Sequence, residues 1–390
     1  MIIEPKVRDF ICTTAHPIGC AEHIKQQIAY TKKQKSLKGP KNVLIIGCST
    51  GYGLASRIAV AYTYHAATLG VMFEKPSNGK RTATAGYYNT KAFEAEAKGE
   101  NLYAKTLNGD AFSNEMKEEV IQTIKEDLGT IDMVIYSLAA PRRKTDDGTI
   151  YTSSLKTIGE PFSNKSLNLR NNEVISASID SATEEEIAST VKVMGGEDWT
   201  NWIQALYDAG VMSKHVTTIA YSYIGPELTY PVYYGGTIGT AKQHLYQSAT
   251  NLNRRYLEQG LHAYISVNKA LVTQSSAAIP IVPLYMALLY KIMKEKGIHE
   301  GCIEQLNRLL QEKLSGDSPM TDETGMIRLD DWELREDVQS EVMNRWNQVT
   351  TENVMELADI KGYWEDFYHM FGFGFDTVDY SKDVDPIIEE

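Results

Sequence analysis

The sequence lacks several features that would place the protein in other classes. Four cysteines in 390 residues, with no paired spacing, argue against a disulfide-stabilised fold and indicate free thiols in a reducing compartment. The longest apolar run, Ala277–Tyr290, contains two prolines and is shorter than the roughly 18–20 residues that a membrane-spanning helix requires. Residues 1–9 carry charges where a signal peptide needs an apolar block. We therefore expect a cytoplasmic protein that does not enter a membrane.

Basic charge is also scarce. The chain has 39 Lys and Arg against 51 Asp and Glu, a formal net charge of −12, so we expect no nucleic-acid partner, which would need a basic face. Four residues that superficially resemble metal ligands, Cys12, His16, Cys20 and His23, match no standard zinc spacing, and we expect no metal. With 43% hydrophobic and 23% charged residues, the composition is that of an ordinary globular protein.

Short apolar runs alternate with helical spacing along most of the chain. The apolar spacing over residues 114–128 is typical of an amphipathic helix. Near-continuous apolar strands separated by helices indicate a parallel sheet covered on both faces. The sequence therefore predicts an α/β protein with a Rossmann-like doubly wound parallel sheet. The predicted strands are Val43–Gly47, Thr68–Glu74, Leu102–Leu107, Ile131–Ser137, Thr217–Tyr221 and Ala263–Val267.

The sequence contains no internal repeat or low-complexity linker, which favours a single enlarged domain over residues 1–390. We predict helices over 21–35, 183–194 and 197–209, with Ser181 and Glu184 forming a capping box at the second of them. Within the domain we predict a first dinucleotide-binding half at 41–140, a substrate lid insertion at 141–215, a catalytic half at 216–295 and a mainly helical C-terminal extension at 296–390.

Three glycines follow the first predicted strand and open a helix. They lie in the segment Gly47-Cys48-Ser49-Thr50-Gly51-Tyr52-Gly53. Glycine permits a tight turn and a close approach of the backbone to a pyrophosphate, which the N–H groups and the positive end of the helix then hold. The Gly-x3-Gly-x-Gly spacing is that of short-chain dehydrogenases, and the alternative is a glycine-rich turn without a ligand. We favour a dinucleotide site.

An acidic residue stands at the distance that such a site requires. Glu74 ends the second predicted strand, 21 residues after the last of these glycines. A carboxylate there accepts hydrogen bonds from the adenosine ribose and repels a 2′-phosphate, so NADH is the expected cofactor, although basic residues at 75 and 81 can tolerate a phosphate. We expect Asp110-Ala111, after the third strand, beside the adenine, and Leu138-Ala139, after the fourth, beside the nicotinamide ribose.

Tyr233 and Lys242 are the predicted catalytic pair. In a continuous helix, nine steps of about 100° would place them on opposite faces, but Gly235-Gly236 argues against such a helix. Thr237 can instead cap a helix that carries Lys242, leaving Tyr233 on the preceding loop. A converging ammonium would lower the pKa of Tyr233 and hydrogen-bond the nicotinamide ribose. On spacing alone, a core tyrosine and a solvated lysine explain the pair equally well.

Together with the glycine turn, the Tyr-x8-Lys spacing resembles that of the trans-2-enoyl-CoA reductases and V-type enoyl-ACP reductases, an enlarged branch of the short-chain dehydrogenase superfamily. Ordinary members of the superfamily space the pair as Tyr-x3-Lys, and the commoner enoyl-ACP reductases as Tyr-x6-Lys. The likeness is highly specific and covers nearly the whole chain. Its further motifs are Ala15-His-Pro-Ile-Gly-Cys20, Val193-Met-Gly-Gly-Glu-Asp-Trp199, Ala220-Tyr-Ser-Tyr-Ile-Gly225, Ser266-Val-Asn-Lys269 and His299-Glu-Gly-Cys-Ile-Glu304.

The resemblance implies a role for each candidate site residue. It makes Tyr233 the proton donor that binds the thioester carbonyl, Tyr223 a second catalytic tyrosine that contacts the substrate, and Lys242 a residue that holds the cofactor. The remaining cofactor contacts that it implies are Gly47, Cys48, Ser49, Thr50, Gly51, Tyr52, Phe73, Glu74, Asp110, Ala111, Leu138, Ala139, Leu271, Val272 and Thr273.

The resemblance further implies an NADH-dependent enzyme that reduces trans-2-enoyl thioesters, carried on CoA or acyl carrier protein, to saturated acyl thioesters. Hydride would reach the β-carbon while Tyr233 stabilises the enolate. The size of the family suits a monomer. Two alternatives stay open: a ketoacyl or other carbonyl reductase, and a catalytically silent NAD(H)-sensing protein.

The apolar segment Ala277–Tyr290 is followed by three lysines, Lys291, Lys294 and Lys296. A core helix with a solvated charged end is the simplest interpretation. The alternative is that the segment walls an acyl-chain tunnel beside Thr273, with the lysines binding CoA phosphates or an acidic carrier protein.

Overall fold

The computed structural model describes residues 1–8, 11–274, 276, 279–316 and 318–388. Ala277 and Ala278, at the start of the apolar segment, lie outside the described residues. Thirteen strands occur in the described part of the chain. They are β1 (Val7–Arg8), β2 (Ile11–Cys12), β3 (Asn42–Ile46), β4 (Ala67–Met72), β5 (Ala104–Asn108), β6 (Ile131–Tyr136), β7 (Arg142–Lys144), β8 (Ile150–Thr152), β9 (Phe162–Asn168), β10 (Glu173–Ile179), β11 (Met212–Ser222), β12 (Leu261–Val267) and β13 (Ile327–Arg328).

Twelve α-helices occur in the same described ranges. They are α1 (Pro17–Lys32), α2 (Gly51–Tyr64), α3 (Ala85–Gly99), α4 (Asn114–Thr123), α5 (Glu184–Met194), α6 (Glu197–Asp208), α7 (Thr237–Arg255), α8 (Val282–Glu295), α9 (Cys302–Arg308), α10 (Glu336–Gln348), α11 (Val354–Leu357) and α12 (Ile360–His369). A π-helical turn continues α4 over Ile124–Leu128, and another continues α9 over Leu309–Lys313. Among the described residues, no helix combines the length and apolarity that crossing a bilayer requires.

Seven of the strands form one parallel sheet in the order β13-β12-β11-β6-β3-β4-β5. The chain proceeds outward from β3 to β5 and then returns to place β6 on the other side of β3. Ile45 in β3 consequently lies between Gly70 of β4 and Ile135 of β6. Strand order reverses between β3 and β6, and doubly wound sheets bind ligands outside the carboxyl ends of their strands at such a point. The predicted fold class is confirmed.

Helices cover both faces of this sheet, because its central strands are apolar on both sides. Along β3, Val43 and Ile45 face one apolar cluster, whereas Leu44 and Ile46 face the other. The first cluster includes side chains of α1, α2, α3, α8 and α9, and the second includes side chains of α4, α6 and α7. The near-continuous apolar runs in the sequence therefore correspond to strands buried on both sides.

The first helix begins earlier than the sequence predicts. α1 starts at Pro17 rather than at residue 21, because proline is favoured at the first helical position. The preceding His16 accepts a hydrogen bond at Nδ1 from the N–H of Gly19 over 3.2 Å, so an imidazole caps this helix. Histidine is not among the preferred capping residues, which hid this start from a reading of the sequence.

The structure changes two further local predictions: the first was wrong, and the second is confirmed in its bounds but not in the type of its last turn. The capping box of α5 is formed by Thr183 and Glu186, not by Ser181 and Glu184: the Glu186 N–H donates to Thr183 Oγ1 over 3.2 Å, and the Thr183 N–H donates to Glu186 Oε2 over 2.9 Å. The helix predicted over 114–128 is α-helical only as far as residue 123, and its last turn is π-helical. Both differences concern the ends of elements, where neighbouring residues compete for the same backbone groups.

Residues 141–183 form two antiparallel hairpins, β7–β8 and β9–β10. The second hairpin is attached to the C-terminal part of the chain through Lys165. Its Nζ donates hydrogen bonds of 2.9, 3.3 and 3.1 Å to the carbonyl oxygens of Trp346, Asn347 and Val349, at the end of α10. Carbonyls at the end of a helix lack helical partners, so one ammonium caps this end and fixes the hairpin to it.

Candidate active site

The glycine turn lies at the carboxyl end of β3, where the strand order reverses. Gly47 has a φ of +84°, and a Cβ atom there would lie 2.3 Å from the carbonyl oxygen of Ser137. A Cβ atom on Gly53, in the first turn of α2, would lie 1.8 Å from the carbonyl oxygen of Gly47. Only glycine fits at either position, so no side chain obstructs the approach of a pyrophosphate to the start of α2.

Glu74 follows β4 and faces the glycine turn. Ser49 Oγ donates a hydrogen bond of 2.6 Å to Glu74 Oε1, which leaves Oε2 to accept hydrogen bonds from a ribose. Asn108 holds the Glu74 main chain through two hydrogen bonds of 2.9 Å each. The neighbouring Phe73 side chain is 78% exposed, so its ring is open to a ligand. The carboxylate therefore has the position and the free oxygen that an adenosine ribose requires.

The turn also satisfies another pattern. Gly47-Cys48-Ser49-Thr50-Gly51 fits Gly-x-Ser-x-Gly, which in α/β-hydrolases exposes a nucleophilic serine between a strand and a helix. In such enzymes the serine hydroxyl bonds to a histidine base. Here the Ser49 hydroxyl donates to Glu74, and within the described residues it has no histidine partner. The geometry therefore does not support a hydrolase.

The other residues of the turn use their side chains elsewhere. The Cys48 side chain is fully buried, and Arg57 Nη1 lies 3.8 Å from its Sγ. Burial raises the pKa of this thiol to about 11, so only the main chain of Cys48 can face a ligand. Thr50 occupies the N-cap position of α2. Tyr52 donates its hydroxyl hydrogen to the carbonyl oxygen of Lys269 over 2.8 Å, which joins the turn to the end of β12.

Asp110 and Ala111 form the turn after β5, and buried groups hold them. The carbonyl oxygen of Ala111 accepts hydrogen bonds from Trp202 Nε1 over 3.0 Å and from Lys117 Nζ over 3.2 Å. Lys117 also forms a buried ion pair of 3.0 Å with Asp198, whose pKa burial raises. The carbonyl of Ala111 therefore points into the protein, and the opposite side of the turn borders the sheet edge.

Two more loops reach the same edge of the sheet. Leu138-Ala139 continues β6, and Leu271–Thr273 continues β12. Gly51, at the start of α2, lies near the second loop, since a Cβ atom on it would be 3.7 Å from Thr273 Cγ2. The predicted contacts to the two ends of a dinucleotide thus meet at one edge, because the carboxyl ends of parallel strands share it.

Tyr233 and Lys242 belong to different local structures, as the paired glycines predict. Tyr233 lies in the turn before α7, and Lys242 lies inside α7, which begins at Thr237 with Gly236 in the N-cap position. The suggested capping by Thr237 is therefore wrong. Lys242 Nζ donates a hydrogen bond of 3.0 Å to the carbonyl oxygen of Tyr221, and burial lowers the pKa of Lys242 to about 8.

The expected effect of Lys242 on Tyr233 is also wrong. Burial raises the pKa of Tyr233, and the negative charge of Glu333 raises it further. The Lys242 ammonium is directed to the end of β11 instead. Tyr233 consequently keeps its proton at neutral pH, so its hydroxyl has a hydrogen that it can donate.

Tyr223 and Tyr233 are in direct contact. Their ring centroids are 4.7 Å apart and their planes are inclined by 81°, an edge-to-face arrangement. The Tyr223 hydroxyl donates a hydrogen bond of 2.9 Å to Glu333 Oε1. The Tyr233 hydroxyl has no hydrogen-bond partner among the described residues. Of the two phenols, Tyr233 therefore has the hydroxyl that is free to bind a substrate oxygen.

Glu333 is a residue of this site that the sequence did not reveal. It stands among charged residues in the stretch Asp330-Asp331-Trp332-Glu333, which has the composition of a solvated turn. No spacing rule links it to Tyr223 or Tyr233, which precede it by about a hundred residues. Its signal is visible only in three dimensions, where it is fully buried against two phenols.

The three lysines after the apolar segment each have an acidic partner within 4.0 Å. The pairs are Lys291–Glu295, Lys294–Asp359 and Lys296–Asp337. Residues 282–290 are buried as part of α8. Because each lysine already pairs with an acid of the same chain, the simpler interpretation of a core helix with a charged end is favoured.

The group Cys12, His16, Cys20 and His23 serves other purposes. His16 caps α1, and burial raises the pKa of Cys20, which keeps this thiol protonated. Within the described ranges, no cluster of three or more His, Cys, Asp or Glu side chains is arranged to hold a metal ion.

Three family models match the chain. Residues 2–79 match a model described as the NAD(P)H binding domain of trans-2-enoyl-CoA reductase, and residues 81–315 match one described as the trans-2-enoyl-CoA reductase catalytic region. Residues 321–384 match a model described as an enoyl reductase FAD binding domain. The first two models together include the glycine turn, Glu74 and both tyrosines.

The flavin in the third description does not fit this part of the chain. β13 has only two residues and is followed by a turn that contains Glu333, rather than by a glycine turn and a helix N-terminus. The Glu333 carboxylate is directed at the hydroxyls of Tyr223 and Tyr285, from which it accepts hydrogen bonds. These residues do not form a cradle for a second dinucleotide, and we derive no step through a flavin.

Relatives of known class resemble the chain over its full length. Enoyl-[acyl-carrier-protein] reductase [NADH] of Psychromonas ingrahamii is 52% identical over 394 residues, covering 100% of this chain and 98% of the relative. The enzyme of that name from Coxiella burnetii is 56% identical over 391 residues, covering 99% and 96%. The crystal structure of Treponema denticola trans-2-enoyl-CoA reductase with NAD superimposes with a TM-score of 0.96, at 47% identity and full coverage of both chains. The chain belongs to the trans-2-enoyl-CoA reductase family.

Proposed function

We propose that the protein uses NADH to reduce trans-2-enoyl thioesters, carried on acyl carrier protein or CoA, to saturated acyl thioesters. The observation that carries this proposal is the tyrosine pair, in which Tyr233 has a free, protonated hydroxyl beside Tyr223. The names of the relatives support it: those from Psychromonas and Coxiella are NADH-dependent enoyl-ACP reductases.

The glycine turn fits NADH because no side chain stands where a pyrophosphate must approach the backbone. We assign the pyrophosphate to residues 47–52, the adenosine to Phe73-Glu74 and Asp110-Ala111, and the nicotinamide half to Leu138-Ala139, Lys242 and Leu271–Thr273. When bound, NADH supplies the hydride that adds to the β-carbon of the enoyl group.

Tyr233 acts on the thioester oxygen. As the β-carbon gains hydride, negative charge develops on this oxygen, and a hydroxyl directed at it stabilises the resulting enolate. The raised pKa of Tyr233 keeps its proton in place until that charge develops. A proton that Tyr233 supplies, directly or through water, then adds to the α-carbon and gives the saturated product. Tyr223 holds the ring of Tyr233 in an edge-to-face contact, so we assign it to substrate positioning.

We assign the two hairpins within residues 141–215 to a lid over the substrate and residues 216–295 to the catalytic half. The first half of the cofactor site, at 41–140, and the helical extension at 296–390 complete one domain. The capping of α10 by Lys165 supports this assignment, because it joins a hairpin to the extension. A monomer in the cytoplasm stays our prediction.

The test is the loss of NADH absorbance with purified protein and crotonyl-CoA, followed by longer enoyl-CoA and enoyl-ACP substrates. We expect rapid oxidation by the wild type and a fall in kcat of about 1,000-fold for Tyr233→Phe, because the phenyl ring keeps the packing and loses the donor. Tyr234→Phe is the matched control: the adjacent side chain is 51% exposed, and its kcat should stay within about twofold of the wild type.

Other outcomes would replace the proposal. Oxidation of NADH with a ketoacyl thioester, and none with enoyl thioesters, would identify a carbonyl reductase. NADH binding without turnover on any of these substrates would identify an NAD(H)-sensing protein.

A further inference from the structure

Glu333 is a fully buried carboxylate in the turn that precedes α10. Three donors converge on it. Tyr223 and Tyr285 donate their hydroxyl hydrogens to Oε1 over 2.9 and 2.6 Å, and the N–H of Ala270 donates to Oε2 over 2.7 Å. A buried carboxylate with three donors is satisfied as an anion, which explains how the fold tolerates it.

This arrangement determines what the two active-site tyrosines can do. A phenol has a single hydrogen, and that of Tyr223 is directed at Glu333. Tyr223 can therefore accept a hydrogen bond from the pocket but cannot donate one. Tyr233, whose hydroxyl has no partner among the described residues, is left as the donor of the pair.

Glu333 also reaches the cofactor side of the site. Ala270, whose N–H it holds, immediately precedes Leu271–Thr273, the loop assigned to the nicotinamide. Gln339 in α10 holds the main chain of Glu333 and one of its phenol partners, since its Nε2 donates to the Glu333 main-chain carbonyl oxygen over 2.7 Å and to the Tyr285 hydroxyl over 3.2 Å. One side chain thus contacts both the second tyrosine and the start of the nicotinamide loop.

We propose that Glu333 is a positioning residue for enoyl reduction: it fixes Tyr223 as a hydrogen-bond acceptor, and through the Tyr223 ring it places the Tyr233 hydroxyl on the thioester oxygen. The proposal rests on the proposed function. Glu333 lies within residues 321–384, the segment that matches the model described as an FAD binding domain. The proposal gives this segment a role in the tyrosine site and not in binding a flavin. Loss of the Glu333 charge would release Tyr223 and misplace Tyr233 without removing any group that touches the substrate.

The charge of Glu333 depends on pH. Burial raises its pKa, and Lys269 opposes that shift. Since the pKa is raised, protonation of Glu333 begins above the ordinary range for a glutamate, and kcat should fall with decreasing pH as the carboxylate gains a proton. The titratable and charged groups around it are Lys269, Asp330, Tyr52, Tyr223, Tyr233 and Tyr285.

The test compares Glu333→Gln with the wild type in pH profiles of kcat, with melting temperature recorded for each. An amide has one acceptor and one NH₂ group, so it cannot satisfy the two phenols and Ala270 at once. We expect kcat to fall at least about tenfold at neutral pH, KM for NADH to stay within about threefold, and the acid-side decline of kcat to disappear. In a Tyr223→Phe background the same change should lower kcat by no more than about threefold, because Glu333 acts through Tyr223.

Glu300→Gln is the matched control for losing a buried carboxylate. Glu300 is also buried, and it pairs with Arg308 over 2.6 and 2.8 Å; among the described residues it forms no hydrogen bond with Tyr223, Tyr233 or Tyr285. Its loss should lower the melting temperature and leave the acid-side decline of kcat in place.

Three results would overturn the proposal: a Glu333→Gln enzyme with wild-type kcat and pH profile, an undiminished loss in the Tyr223→Phe background, or an acid-side decline that Glu333→Gln keeps. If Glu333→Gln fails to fold, Tyr223→Phe decides. If Tyr223 is only a hydrogen-bond acceptor, the Tyr223→Phe enzyme should retain at least about a tenth of the wild-type kcat. Inactivation equal to that of Tyr233→Phe would refute the assignment of Tyr223 as an acceptor. A wild type inactive on every enoyl thioester would instead refute the proposed function.

Discussion

The cofactor turn and the tyrosine site are neighbours built in different ways. The turn comes from one continuous stretch, β3 and the start of α2, and its shape depends on backbone that only glycine permits. The tyrosine site combines the end of β11, the loop before α7, the end of β12, α8 and the turn before α10. Hydrogen bonds to the buried carboxylate of Glu333 hold the tyrosine site together.

This difference predicts different responses to perturbation. A site built by steric fit tolerates no added atom and has little reason to respond to pH. A site built around buried ionisable groups tolerates isosteric changes in shape but responds when a proton is gained or lost. The following variants test that distinction.

Among these further variants, the largest effect is expected at the turn. Gly53→Ala would bring a methyl group to 1.8 Å from the Gly47 carbonyl oxygen, so the backbone must move. We expect the Kd for NADH, measured by fluorescence titration, to rise at least about 100-fold. Gly99→Ala is the control, because a Cβ atom there meets no atom within 4 Å. Normal NADH binding by a folded Gly53→Ala protein would contradict the steric account.

The next effect concerns Lys242. Its pKa is lowered to about 8, so its ammonium is present below that pH and is lost above it. We expect wild-type kcat to decline as the pH rises through about 8, and Lys242→Met to lower kcat roughly 10- to 100-fold and abolish that decline. Lys361→Met, at a side chain that is 87% exposed, should change neither. An unaltered alkaline decline in Lys242→Met would assign the titration to another group.

A smaller effect is expected for Glu74, the acidic partner of the turn. Glu74→Ala removes the charge that disfavours a 2′-phosphate, so the ratio of kcat/KM with NADPH to that with NADH should rise by about tenfold. Glu356→Ala, at an exposed position in α11, is the control for removing one acid. A ratio unchanged by Glu74→Ala would show that the carboxylate does not set the choice of cofactor.

The smallest effect separates acid inactivation of the site from acid unfolding. His16 is fully buried and caps α1 through Nδ1, and burial lowers its pKa below 6.5. Its contribution to stability is therefore complete above 6.5 and is lost as the pH falls below it. His16→Asn retains a capping acceptor that does not titrate. The drop in urea midpoint between about pH 7.5 and about pH 5 should be smaller in this variant. An equal drop would exclude His16 as a source of acid sensitivity.

The same difference explains how much the sequence could predict. Local patterns in the sequence include the glycine turn, the acid after the second strand and the Tyr-x8-Lys spacing. The parallel sheet was predicted from near-continuous apolar runs that alternate with helices. Glu333 has no local pattern, because its role arises from burial and from partners in four other segments. The effect of Lys242 on Tyr233 was mispredicted for a related reason: the direction of a long side chain depends on which carbonyl it meets, here that of Tyr221. The assigned roles of the site residues themselves stay predictions until the variants are measured.

The position of Glu333 late in the chain also orders events during biosynthesis. The ribosome completes the cofactor turn at residue 53 and adds Glu333 280 residues later (333 − 53). At roughly 5–20 residues per second, this interval lasts about 15 to 55 seconds. Tyr223 itself is added 110 residues before Glu333 (333 − 223), and over that part of the interval it lacks the carboxylate that accepts its hydrogen bond. The edge strand β13 is incomplete for almost the whole interval. The nascent chain therefore acquires its dinucleotide turn well before its tyrosine site is complete.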